Sequence, residues 1–197
     1  MIRPHFPVER RPWRRVAFAV FAMCCAFSAA AQVTAEALFL VATPQVRDSL
    51  FAESVVLVTR HGRSPPLGVI VNRPLPRDES EDRKSPGLYL GGPVATHRFA
   101  YLYRSKRAGL AEQMVLRLGK DMFFGIGAAI PAELQKDSLA VPRKLFRGFS
   151  SWAHGQLEQE IARGDWLVLP FDADVALRDD VNTLWQEMLS RASSRSI

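Results

Sequence analysis

The sequence predicts an α+β domain with a mainly antiparallel sheet. Three features of the 197-residue chain point there: short apolar runs that follow one another, a proline-rich connection that reads as a hairpin, and only a few helical patterns. Leu38–Ala42, ended by Thr43-Pro44, and the valine-rich Ser54–Arg60 read as the first two strands. Leu67–Val71 is the third. Between them, Gly62-Arg63-Ser64-Pro65-Pro66 cannot continue a ladder, because proline has no amide donor. Arg77–Lys84, between Pro76 and Pro86, is a charged run expected to be a solvated loop. Leu88–Leu90 is a strand entering Gly91-Gly92-Pro93, and Phe99–Tyr103 and Gln113–Leu118 space large apolar residues as strands with one buried face do. Met122–Ile126 is strand-like. Pro131–Lys136 fits a short helix, since proline is tolerated in the first turn. A strand is expected over Lys144–Phe149. Leu157 and Ile161 lie one helical turn apart, so Gly155–Arg163 reads as an amphipathic helix stopped by Gly164. Trp166–Leu169 returns as a strand, and Val181–Arg191 closes the chain as a helix with Leu184, Trp185, Met188 and Leu189 inward.

The first 31 residues have the order of a secretory signal peptide. Arg10, Arg11, Arg14 and Arg15 precede an apolar run from Val16 to Phe27, followed by Ser28-Ala29-Ala30-Ala31. Cleavage after Ala30 or Ala31 would leave 32–197 as one periplasmic domain. The alternative is an uncleaved anchor through 16–35, because no charge occurs from Val16 to Thr34 and such a span can cross a bilayer. Membrane contact is expected only through this leader, if it is retained. The whole chain has 26 basic and 20 acidic residues; without the leader's five arginines and one acid, 21 and 19 remain, a net charge of +2. That near balance gives little reason to expect a nucleic-acid binder. Both cysteines, Cys24 and Cys25, fall in the leader, so the domain has no thiol nucleophile, cysteine metal site or disulfide.

The run from Arg147 to Trp166 carries the densest set of polar candidates. Backbone amides at the start of the helix near Gly155 lack intrahelical partners and can hold an anion, with Arg147, Ser150, Ser151 and His154 as further donors. The alternative is structural: Ser151 caps the helix while Trp152 and Leu157 pack in the core. Asn72-Arg73-Pro74 ends a strand and can present an amide and a planar fork to a carboxylate or phosphate, or else form a turn in which Asn72 bonds its own backbone. Gly91-Gly92 and Gly125-Ile126-Gly127 lack the full strand, loop and helix context of a nucleotide motif and read as turns. His61, His97 and His154 are scattered without ligand spacing, so neither metal nor cofactor is expected.

Four blocks together resemble the YqgE/AlgH family: Phe39-Leu40-Val41-Ala42-Thr43-Pro44 with Asp48, Phe51 and Val55-Val56-Leu57-Val58; Leu67 through Leu75; Gly91-Gly92-Pro93-Val94; and Gly148 through Ile161. The similarity covers nearly all of 37–190. It implies a curved, barrel-like antiparallel sheet with flanking helices, and no settled activity, although members are often labelled transcriptional regulators. Two features set this chain apart. Phe149, Ser150 and Ser151 stand where the family usually has Tyr, Ala and Gly, and members usually have no leader.

The expectation is therefore a noncatalytic, exported binding or regulatory protein. Its ligand is an acidic small molecule or a protein partner, held by a face on which Asn72, Arg73, Gly91, Gly92, Ser151, Trp152, His154 and Gln156 meet. No catalytic residue is assigned. The alternative is a hydrolase using Ser151 and His154 with an acid such as Asp165, which requires a serine oxygen, an imidazole and a carboxylate in hydrogen-bonded series. Direct DNA regulation is incompatible with export.

Overall fold

Short, mainly apolar runs form nine strands among the described residues of this computed structural model, which are 33–76, 87–105, 115–129, 131–135 and 143–194, all within the unit Gln32–Ile197. Seven strands close a ring in the order β1–β2–β3–β8–β5–β7–β6 and back to β1. These are β1 (Val33–Ala42), β2 (Val55–Arg60), β3 (Leu67–Ile70), β5 (Val94–Arg104), β6 (Val115–Leu118), β7 (Met122–Gly127) and β8 (Arg143–Ser151). The β1–β6 closure is parallel, over Val33–Ala35 against Leu116–Leu118; the other six pairings of the ring are antiparallel. β4 (Leu88–Leu90) joins β8 in parallel, and β9 (Trp166–Pro170) joins β1 beyond the end of β6.

Each ring strand contributes to one buried cluster, including Phe39, Val55, Val69, Leu102, Leu118, Phe124 and Phe146, which continues onto α3 (Ala173–Leu177) and α4 (Leu184–Ser193). The opposite faces are covered as well. Leu40, Val56, Val58 and Ile70 pack under Trp152, Trp166 and Leu157 of α2 (Gln156–Arg163), while Tyr101, Tyr103 and Phe123 pack with Leu134 of α1 (Ala132–Gln135). Covering on both sides explains why β2 is buried from Val55 to Thr59 instead of alternating.

Several boundaries differ from the expected ones. β1 begins five residues before Leu38, where pairing with β6 over Val33–Ala35 and with Arg60 of β2 at Glu36 extends the strand through polar residues. β5 begins at Val94 because a bulge between Val94 and Phe99 keeps the strand paired while Thr96, His97 and Arg98 stay exposed. Gly125 to Gly127 is the end of β7 and not a turn; a Cβ on Gly125 would stand 2.3 Å from the Tyr101 ring. α3 escapes periodicity because it has only five residues, started by Asp172 accepting from the Asp174 and Val175 amides. α4 starts three residues after Val181. The charged run Arg77–Lys84 and the leader lie outside the described residues. No helix among the described residues is long and apolar enough to cross a membrane.

Candidate functional site

Extension of β8 to Ser151 decides the local geometry. Ser150 and Ser151 pair with Gly68 and Leu67 of β3, so Ser151 is an exposed strand residue and does not cap α2. The cap position is Gly155, with φ 77°, and it supplies no side chain. The first turn is closed instead by Gln156, whose Oε1 accepts from the Ala153 amide at 2.9 Å. Buried Ser150 donates from Oγ to the Gly91 carbonyl at 3.2 Å.

Gly91 and Gly92 press against β8. The Gly91 amide donates to the Arg147 carbonyl at 2.9 Å, and its own carbonyl accepts from the Ile70 amide at 3.0 Å. A Cβ on Gly91 would lie 2.2 Å from the Gly148 carbonyl oxygen, and one on Gly92, at φ 154°, would lie 2.3 Å from Ser150 Oγ. The pair is a backbone crossing, and its polar groups face the sheet.

Immediately beyond Pro93, a cleft of about 360 Å³ opens between the Val46–Phe51 loop, the end of β8, and α2. Ser151, Trp152 and Gln156 line it together with Phe51, Glu160, Arg163, Asp165 and Trp166. Glu160 is the hub. Its Oε2 accepts from both Trp152 Nε1 and Trp166 Nε1 at 2.8 Å, while Oε1 accepts from Gln156 Nε2 at 2.9 Å. Three neutral N–H donors thus hold one carboxylate. Asp165 is bound by Arg163, whose guanidinium pKa rises through that hydrogen bond. Asp48 Oδ1 accepts the Leu50 and Phe51 amides, and Phe51 meets the Trp166 ring edge-on with centroids 5.9 Å apart.

His154 belongs to a different hollow, with Arg60, Arg63, Gly155 and Glu158. Arg60 Nη2 and Glu158 Oε1 are paired there at 2.8 Å. Gln156, Glu160 and Arg163 share one face of α2, and Glu158 projects from another. The two hollows flank the helix. They differ in charge: three carboxylates and one guanidinium line the first, and two guanidiniums, an imidazole and one carboxylate line the second.

Asn72 and Arg73 occupy a third place, beside Glu53, Asn182 and Trp185. Asn72 Oδ1 accepts the Val55 amide at 2.8 Å and its Nδ2 donates to the Glu53 carbonyl at 2.9 Å. Arg73 donates to the carbonyls of Ser49 at 3.1 Å and Ala52 at 2.8 Å. Asn72 therefore bonds the β1–β2 connection instead of its own turn, and the fork of Arg73 is spent on carbonyls. The two residues act on the cleft indirectly, by fixing the loop that carries Asp48 and Phe51.

The eight residues expected on one face are thus divided. Ser151, Trp152 and Gln156 meet, Gly91 and Gly92 adjoin them from beneath, His154 faces the neighbouring hollow, and Asn72 with Arg73 stand behind the loop. Glu160, Trp166 and Phe51 were not anticipated, although the i, i+4 spacing of Gln156 and Glu160 was available. The relay needed by a serine hydrolase is not assembled: Ser150 bonds Gly91, and Ser151 and His154 open to different hollows. Among the described residues, no three His, Cys, Asp or Glu side chains form a metal-binding group.

The AlgH-like family model matches residues 39–196. A UPF0301 protein of Methylococcus capsulatus is 34% identical over 165 residues, covering 78% of this chain and 89% of the relative. UPF0301 protein YqgE of Escherichia coli is 29% identical, covering 76% and 87%. Among solved structures, a Corynebacterium diphtheriae protein superposes with TM-score 0.61 at 25% identity, and the AlgH protein of Pseudomonas aeruginosa with TM-score 0.58 at 28% identity; each match covers 80% of this chain and 86% of the other.

Proposed function

Because the chain belongs to the AlgH-like family, a family without a settled activity, we propose that it is an exported, noncatalytic binding protein that engages a protein partner across the two hollows flanking α2. The observation that carries this reading is their opposite charge. A small ligand fills one hollow, whereas a polypeptide with a basic group for the Glu160 cleft and an acidic group for the Arg60–His154 hollow matches both at once. The noncatalytic part is supported by the Glu160 network, in which each polar group serves structure: the carboxylate orients two indoles and Gln156 orients the helix start. Export rests on the charge, apolar run and small-residue ending of the leader.

One experiment addresses both parts. A photo-crosslinking residue placed at exposed Ser151 or His154 in the full chain is expected to capture the same partner in intact cells. The same probe at Ser190, on α4 at the opposite face of the sheet, should capture none. The recovered chain is expected to begin near Ala31 or Gln32. Capture from Ser190 with silence at the other two sites would displace the binding face, and an intact leader on cytosolic protein would remove the export assignment.

A further inference from the structure

Lys144 is the only buried charged side chain among the described residues, with 1% of its surface exposed, and is the second residue of β8. Its Nζ donates to the Arg178 carbonyl at 2.6 Å and stands 4.1 Å from the centroid of the Tyr89 ring. Tyr89 lies on the adjoining β4, and its hydroxyl donates to the Asp179 carbonyl at 3.2 Å. Two side chains from neighbouring strands therefore grip consecutive carbonyls of the turn between α3 and α4. The turn is tied to α4 by the Arg178 fork on Glu187, at 2.6 and 3.0 Å, and by Thr183 Oγ1 on the same carboxylate at 2.6 Å. Val181 and Asn182 of this turn form one wall of the 220 Å³ hollow that holds Asn72 and Arg73.

We propose that Lys144 is a proton-sensitive latch: protonation of its amine loosens the Arg178–Thr183 turn and opens the hollow beside Asn72 and Arg73. An ammonium has three donors, and this one meets one carbonyl and one ring face. Burial opposes its charge and lowers its pKa from 10.5 to about 7; Asp179 pulls the other way, and Arg178 adds to the lowering. Arg178 is paired with Glu187, and Arg104 of β5 is paired with Asp174 and Asp121; Asp180 acts on Arg178.

Opening the turn returns the amine to water and to its ordinary pKa. The open form then binds the proton more tightly, so acidification favours opening. Closure strengthens as pH rises from about 7 toward 10.5 and is insensitive to pH below about 7.

Hydrogen exchange of the full chain, corrected for the intrinsic pH dependence of exchange, tests this. Protection of the Arg178, Asn182 and Leu184 amides, which donate to the Val175 carbonyl, the Asp180 carboxylate and the Val181 carbonyl, is expected to rise with pH above 7, approaching ~10-fold per unit. Lys144→Met should abolish the rise, and β2 amides should report a larger opening energy than the turn. Lys144→Gln, which keeps a donor for the Arg178 carbonyl, provides the same test if the methionine variant fails to fold. A flat wild-type profile, an unchanged slope in the variants, or equal opening energies in the turn and β2 would each overturn the latch.

Discussion

Glu160→Ala is expected to lower unfolding stability by about 3 kcal/mol, because it leaves two indole donors of nearly buried tryptophans without an acceptor. Each stranded donor costs about 1–3 kcal/mol, and truncation also frees Gln156 from one of its two anchors. Tryptophan emission of the folded state should shift as well, since the polar contact at both indoles changes together. Glu160→Gln retains an acceptor oxygen and should lose less, about 1 kcal/mol. Urea unfolding of the three proteins separates these cases. A loss in the alanine variant below about 0.5 kcal/mol, within the range of ordinary surface substitutions, would mean that the carboxylate does not organise the cleft.

Gly91→Ala should be at least as severe, about 3 kcal/mol or more, or should prevent accumulation of folded protein. The added Cβ meets a backbone oxygen at 2.2 Å, so relief requires β8 to move away from the Gly91–Gly92 crossing. That movement breaks the Gly91 amide bond to Arg147 and disturbs Ser150 at the edge of the cleft. Gly119→Ala is the informative contrast. Gly119 has φ +72° but nothing within 4 Å of the added atom, so only backbone strain applies, about 1–2 kcal/mol. Equal losses at the two positions would show that close approach is not what Gly91 provides.

The fold was legible where apolar residues run together between turn signals or recur with a helical period. β2, β3, β7 and α2 lie within a residue or so of their expected bounds, because their side chains alone settle the pattern. Polar strand ends were not legible. Ser150 and Ser151 look like a loop ahead of a helix, and only pairing with β3 shows them to be strand. For the same reason the candidate residues were found without their arrangement: Trp152 and Gln156 stand out in sequence, but Glu160 gains its role when Trp166, six residues later at the start of β9, turns back to the same oxygen that Trp152 bonds. Asn72 and Arg73 read as ligand donors because the carbonyls that occupy them belong to residues about twenty positions earlier. Lys144 gave no signal at all, since a single lysine between Arg143 and Leu145 looks like a solvated position until Tyr89 and the α3–α4 turn close over it.

Binding of the captured partner to wild-type, Ser151→Arg and His154→Glu proteins, measured by calorimetry, tests the two-hollow interface most directly. Both positions are exposed, and each substitution places a charge of the wrong sign in its hollow without removing a hydrogen bond among the described residues. The expected result is a Kd raised ~10-fold or more in each variant, about 1.4 kcal/mol, with unfolding stability unchanged. Wild-type affinity in both variants would contradict binding at the hollows beside α2.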